Sequence, residues 1–310
     1  MSKIVVLGGV SIDLLGVSTD PLRMKDSNPG SVSLSFGGVG RNIAENCAHL
    51  GADVELISVF GDDHLGHLCY KDCVESGINV DHSIFVDQTS SMYLAILDPA
   101  GDLALGLSDN SILSCLSHES IKTALSSISS QDILVLETNL ETEFIDMILT
   151  HRPCMIACDP ISTHKAEKLI KHLDKIDIFK PNDLEAEVYF GSPLKTDEDF
   201  LEALHFFRNK GIKEIIISAA DKGIYVSKGD ATFHLLTPSI SVINATGAGD
   251  AFMGAYLVMR QRFDFQKALE LACCASLLTL ESQRTVVKDL SIESITEKHK
   301  RCVFVRKELC

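Results

Sequence analysis

Two glycines and an aspartate in the run Asn244-Ala245-Thr246-Gly247-Ala248-Gly249-Asp250 have the types and spacing to hold an anion beside a proton acceptor. The next nine residues, Ala-Phe-Met-Gly-Ala-Tyr-Leu-Val-Met, have helix-forming composition and no proline. The glycines therefore stand where a helix begins, with Asp250 just inside its first turn. A helix start carries unpaired N–H groups and partial positive charge, and glycine lets a phosphate come close to that backbone. A carboxylate beside such a site can take the proton of an attacking hydroxyl. Phosphoryl transfer to an alcohol is the chemistry this arrangement serves. The same pattern also describes a plain helix start in which Asp250 complements the dipole. Residues 240–243 ahead of it alternate apolar and polar, as the end of a strand does.

Polar residues recur after other apolar runs: Asp13, Asn42, Glu137, Asn139, Asp159, Asn182 and Glu185. In open α/β sheets, ligands bind outside the carboxyl ends of strands, so the repetition predicts one shared cleft. Each has a bland alternative, a turn or cap for Asp13 and first-turn stabilisation for Glu185. His64, His67 and Cys69 are expected on a solvated helix face, because no second ligand pair follows at zinc-site spacing.

The elements that must position these groups follow from periodicity. Residues 3–9 read as a short buried strand ending in glycines. Further strands are expected at 54–60, 133–136, 154–158, 176–179 and 214–218, with helices at 43–50, 64–76, 141–149, 164–173, 183–189 and 197–209. Such alternation implies right-handed βαβ units and an α/β fold, a doubly wound, mostly parallel sheet flanked by helices. Residues 31–36 alternate strictly, 80–86 and 91–97 look extended, and Asp98-Pro99-Ala100-Gly101-Asp102 reads as a hairpin turn into 103–107. Hairpins do not belong to a parallel sheet. Segments near 12–36 and 80–110 are therefore expected to form a small antiparallel β flap on a single domain spanning 1–310.

Composition narrows the function. The chain has 310 residues and a formal net charge of −15, which argues against nucleic acid or an anionic membrane as partner. No apolar run approaches the roughly 20 residues that span a bilayer, and the first residues do not read as a signal peptide. A cytoplasmic protein with its ten cysteines reduced is expected.

Gly37-Gly38-Val39-Gly40-Arg41-Asn42-Ile43-Ala44 resembles the first signature of the ribokinase-like (phosphofructokinase-B) carbohydrate kinases. Residues 244–252 resemble the second, and Lys180-Pro181-Asn182-Asp183-Leu184-Glu185 is similar to the nucleotide-side motif between them. The resemblance covers nearly the whole chain in the right order. It implies a kinase using ATP and Mg²⁺ on a small-molecule nucleoside or sugar. Asp250 would be the catalytic base, and Gly247, Ala248 and Gly249 the anion hole. Asp13, Gly38, Val39 and Asn42 would line the substrate side, with Tyr93 from the flap. Asn182, Ser218, Gly223, Thr246 and Gly249 would meet the nucleotide, with the adenine near 271–283, and Glu185 would hold the metal through water. Asn244 and Thr246 match a loop that binds a monovalent cation, K⁺, in some members. In relatives the flap often pairs with that of a second subunit, which implies a homodimer.

Three departures bear on this. Ala220 stands where the family's nucleotide turn has glycine, Asn244 where ribokinases have Asp, and Val39 where ribokinases have Lys. Residues 91–98, 101–102, 108–112 and 158–162 are most similar to the family's pseudouridine-phosphorylating members, with other nucleosides, ribose and fructose as alternatives. A non-catalytic nucleoside sensor would keep Asp13 and Asn42 and lose Asp250, which is present. A nicotinamide dehydrogenase would need G-x-G-x-x-G after the first strand, and Leu7-Gly8-Gly9-Val10-Ser11 lacks it.

Overall fold

The strand Ile4–Leu7 lies second from one edge of the large sheet, and all four of its side chains are fully buried. Ile4 and Val6 face one core layer, Val5 and Leu7 the other, because strand side chains alternate. Each such side chain contributes about 1.5–3 kcal/mol by leaving water, so a charge at Val6 would break the core. The computed structural model describes residues 2–309.

From edge to edge the large sheet runs Val54–Ile57, Ile4–Leu7, Ile133–Glu137, Met155–Asp159, Ile178–Phe179, Glu214–Ser218, Ile224–Lys228, Ala231–Leu236 and Val305–Glu308. The first six strands pair parallel and the last three join antiparallel. Strand order reverses at Ile4–Leu7 and Ile133–Glu137, which opens a crevice at their carboxyl ends. Glu137 crosses that point, accepting the Gly9 N–H at 2.5 Å and the Asn139 N–H at 2.7 Å.

A second sheet stands apart, in the order Gly30–Gly37, Ser11–Ser18, Met92–Leu97, Leu103–Asp109. Its two outer pairings are antiparallel and the central one parallel. Ser35, Asp13, Tyr93 and Ser108 pair across it in one row, so they share a face. The adjacent row, Leu34, Leu14, Leu94 and Leu107, lies on the opposite face. Leu34 is 45% and Leu107 59% exposed, so that face is apolar and open.

Several expectations need correction. Asp13 lies within the flap strand Ser11–Ser18, so the turn or cap alternative for it does not hold. The 80–90 stretch does not join the flap; Ile84–Val86 pairs with Val59–Gly61 in a separate two-stranded sheet. Residues 240–243 form no strand: Val242 and Ile243 are exposed, and Ile243 N–H donates to Leu280 O instead of a sheet neighbour. The expected helix at 164–173 is α-helical only over Thr163–Ala166 and then tightens into a 3₁₀ stretch, Glu167–Lys175. Cys69 is in the core, not on a solvated face. Among the described residues no helix is long and apolar enough to cross a membrane, and the cysteines from Cys47 to Cys302 are free thiols.

Candidate active site

Asp250 occupies the third position of the helix Ala248–Met259 and is 9% exposed. Gly247 caps that helix in left-handed backbone, φ 83°, and among the described residues no side-chain cap bonds its first turn. A Cβ at Gly247 would collide with the Thr285 carbonyl, so glycine is required by both conformation and space. The first turn is left with N–H groups that no side chain caps, the donor set that an anion needs.

The helix Val39–His49 crosses this one closely because residue 254 is glycine. A Cβ there would stand 2.9 Å from Asn46 Cβ and 3.0 Å from Ile43 O. The close crossing carries Asn42 to Asp250, and its Nδ2 donates to Asp250 Oδ2 at 2.9 Å. Asn46, one turn on, donates to Asn42 O at 2.7 Å and holds that turn in place. Asn42 Oδ1 is buried with no partner among the described residues. An unpaired buried acceptor costs about 1–3 kcal/mol, which a ligand hydroxyl at this point would relieve.

Burial first, then the Asp159 carboxylate, push the Asp250 carboxyl up to about 7, while Asn42 and Lys180 pull it down. Glu185 is raised to about 7 by the same two causes. Asp159 ends the strand Met155–Asp159 and pairs with Lys180 at 2.9 Å, both buried. An acid near neutrality can exist as base at neutral pH and still be basic enough to accept a proton.

The other motif residues fall in two groups. On the nucleotide-side motif, Glu185 N donates to Asn182 Oδ1 at 2.8 Å and Asn182 N to Glu185 Oε2 at 2.9 Å. This reciprocal cap starts the helix Asp183–Phe190, so the structural role of Glu185 is in use whatever else it does. Ser218 N–H donates to Pro181 O at 3.0 Å, which sets the 218–223 turn beside Asn182. There Ala220 adopts φ 45°, so the alanine keeps the left-handed shape at a strain of about 1 kcal/mol. Gly223 closes the turn at φ 92°. Thr246 is exposed and donates its N–H to Asn244 Oδ1 at 2.9 Å, while Asn244 Nδ2 reaches Gln283 O at 3.3 Å.

On the flap side, Asp13 Oδ1 accepts from Ser11 Oγ at 2.7 Å, and burial raises its carboxyl against that bond and the Arg41 charge. A side chain at Gly37 would collide with the Asp13 carboxylate. Gly38 has φ 95°, and a Cβ there would lie 2.6 Å from Gly9 O, so the fold itself demands this glycine. Val39 is half-buried against the core, and Tyr93 lies in register with Asp13. Sequence reading placed Asp159 at a strand end and quoted Lys180 in a motif, but gave neither a role. Their pairing depends on which strands are neighbours.

Comparison with known proteins accords with this geometry. A profile of the pfkB family carbohydrate kinases matches residues 1–289. The chain belongs to that family. It is 32% identical over 296 residues to the pseudouridine kinase of Escherichia coli K12, covering 94% of this chain and 95% of that protein. It is 28% identical over 280 residues to the guanosine-inosine kinase of Exiguobacterium acetylicum, covering 87% and 92%. The ribokinase structure from Thermotoga maritima matches with a TM-score of 0.82 at 18% identity, over 97% of this chain and all of that one, which gives the fold alone. This pfkB family member is thus a ribokinase-like α/β protein and a sugar or nucleoside kinase, a phosphotransferase acting on an alcohol.

Proposed function

We propose that the chain transfers the γ-phosphoryl group of ATP to the 5′ primary hydroxyl of pseudouridine, giving pseudouridine 5′-phosphate. The observation that carries this reading is the Asn42 amide. It bonds Asp250 through nitrogen and keeps a buried oxygen for a ligand hydroxyl. One residue thereby sets the distance between a held sugar and the base.

In this reading Asp13, Gly38 and Asn42 hold ribosyl hydroxyls, with Val39 and Tyr93 at the border of the pocket. Asp250 takes the proton from the 5′ oxygen as that oxygen attacks. The Gly247–Gly249 backbone faces the charge growing on the phosphoryl oxygens. Asn182, Ser218, Gly223 and Thr246 lie on the nucleotide side. The residues present fit a hydrated Mg²⁺: Glu185 is an oxygen donor next to further carboxylate charge from Asp159, and it would hold the ion through water. When bound, Mg²⁺ would neutralise charge on the phosphates.

The pseudouridine assignment draws on the likeness to the E. coli enzyme and on the polar flap row of Ser35, Asp13, Tyr93 and Ser108, which can offer hydrogen bonds to a nucleoside. The opposite, apolar face suits a second copy of the chain, and a cytoplasmic homodimer completes the proposal. A panel assay with ATP and Mg²⁺ tests the substrate. We expect kcat/KM for pseudouridine to exceed that for uridine, ribose and fructose by about 10²-fold or more, as a site that hydrogen-bonds its ligand discriminates. Guanosine or inosine at the head of the panel would sink the assignment in favour of a purine nucleoside.

A further inference from the structure

His234 lies in the strand Ala231–Leu236 and is 5% exposed. Its register partner across the sheet is Tyr225, and the two rings stack with centroids 4.0 Å apart. Phe200 also stacks on Tyr225, at 3.7 Å, so the imidazole ends a column of three rings. An apolar ring would fill that place as well. An imidazole brings polar nitrogens into a buried layer, where they cost stability unless they are bonded. Nε2 lies 2.6 Å from Lys222 O, which can only accept, so Nε2 carries the hydrogen and donates. Nδ1 faces Asp197 Oδ1 at 3.5 Å. Asp197 also accepts the Tyr225 hydroxyl at 2.7 Å, which holds in place the ring that His234 rests on.

The carbonyl that His234 grips belongs to the 218–223 turn. Ala220 sits there at φ 45°, a region where only glycine rests without steric cost. A residue keeps such a backbone only where its surroundings hold it. Inside the turn, Lys222 N–H donates to Ala219 O and Ala219 N–H to Gly223 O, both at 2.9 Å. From outside, Lys222 is held twice: its carbonyl by His234, and its ammonium by Lys195 O at 3.2 Å. The Lys222 side chain is exposed, so the buried imidazole is the firmer grip. The turn also rests on the same strand, because a Cβ on Gly223 would lie 2.3 Å from Leu235 O.

We propose that His234 is a positioning residue for the nucleotide: its imidazole, steadied by Tyr225 and Asp197, holds the Lys222 carbonyl and so keeps Ala220 in the left-handed turn that the nucleotide meets. Without that bond the turn relaxes away from the strained shape, and nucleotide binds only the fraction of molecules that retain it.

This inference rests on the reading of 218–223 as a nucleotide turn, and the experiment separates the two. Calorimetry with ADP and Mg²⁺ gives nucleotide affinity. Steady-state kinetics compares KM for ATP with KM for the best acceptor of the panel. His234→Phe keeps the ring and removes the bond. We expect its Kd for ADP and KM for ATP to rise about 5–30-fold, the range that loss of one buried hydrogen bond spans, with KM for the acceptor unchanged. His234→Gln can place an amide N–H where Nε2 was and should stay near wild type. His234→Asn places its amide nearer Nδ1, should behave as His234→Phe does, and serves if that variant does not fold. Ala220→Gly removes the strain, so in that background His234→Phe should raise both constants by no more than about 3-fold. Wild-type nucleotide affinity in folded His234→Phe or His234→Asn overturns the proposal. So does a loss of full size in the glycine background, which would mark His234 as packing alone. Gly223→Ala forces a Cβ against Leu235 O and deforms the turn directly. If it binds ADP as wild type does, the turn does not meet the nucleotide and that reading fails. If it loses ADP while the folded His234 variants keep it, the histidine proposal alone fails.

Discussion

Asn42 and Asp250 lie 208 residues apart in sequence and meet at 2.9 Å, amide to carboxylate, across two helices. The bond does two things. It fixes which carboxylate oxygen of Asp250 is engaged, and leaves the other for an acceptor proton. It also uses only the donor end of the amide, so the acceptor end faces the place where a hydroxyl would sit. Substrate and base are therefore registered to each other by one rigid side chain, which favours a reactive approach.

Replacing Asp250 by Asn should lower kcat by about 10²–10⁴-fold, the usual contribution of a general base, with acceptor affinity little changed. The same change should raise stability. Burial pushes Asp250 up to about 7 in the fold from an ordinary value of 3.8, so the native state binds a proton that the unfolded chain releases between those values. Stability from this group is complete below the unfolded pKa and is lost as pH rises through the folded one. The variant should melt above wild type at pH 8, with the gap closing as pH falls toward about 4. Calorimetric scans across that range check it, and a lower melting point at pH 8 would contradict the burial argument.

The pH profile follows from the same group. Asp250 accepts a proton only when ionised, so kcat/KM should rise with pH and level off above a limb near 7. Asp159 and Glu137 raise that carboxyl, whereas Asn42 and Lys180 lower it. Asp159→Asn removes the larger of the two raising charges, and the limb should move to lower pH. A limb that stays put in that variant would assign the titration to another group.

Much of this was legible in the chain because it is local. Gly247, Gly249 and Asp250 announce a helix start with an acid in it from seven consecutive residues. Of the repeated polar residues after apolar runs, Asn42, Asp159 and Glu137 come close enough to act on Asp250. What was not legible depended on partners. Residues 240–243 alternate like a strand, but alternation needs a neighbour to bond, and Pro238 and the exposed Val242 and Ile243 show that none is there. The pairing of Asp13 with Tyr93 joins flap segments 80 residues apart, which local pattern does not disclose. The Lys180–Asp159 pair is set by the adjacency of Met155–Asp159 and Ile178–Phe179, which spacing does not disclose.

Gly254 tests whether helix spacing governs the site. Any side chain there must push Asn46 and the Ile43 carbonyl away. Gly254→Val should cost about 1–3 kcal/mol as overpacking does. It should also lower kcat by about 10²-fold, since a displacement near 1 Å at the reacting groups has that effect. Gly254→Ala should fall between. Unfolding in urea gives the first quantity and steady-state kinetics the second. A stability loss with unchanged kcat would show that Asn42 and Asp250 tolerate wider spacing.

The flap gives the last prediction. Leu34, Leu14, Leu94 and Leu107 make an apolar row on the face opposite Asp13 and Tyr93, and its two outer members are open to solvent. An exposed apolar sheet face of this kind marks an interaction surface. If a second copy covers it, a charge in the row would be buried unpaired in the dimer and solvated in the monomer. Leu34→Asp with Leu107→Asp should therefore convert a dimer to a monomer in sedimentation velocity. The core packs elsewhere, so the monomer should stay folded by circular dichroism. Because the substrate row shares that small sheet, the variant should raise KM for the acceptor more than it lowers kcat. A wild-type protein that sediments as a monomer, or a double variant that still pairs, would refute the flap as the subunit contact.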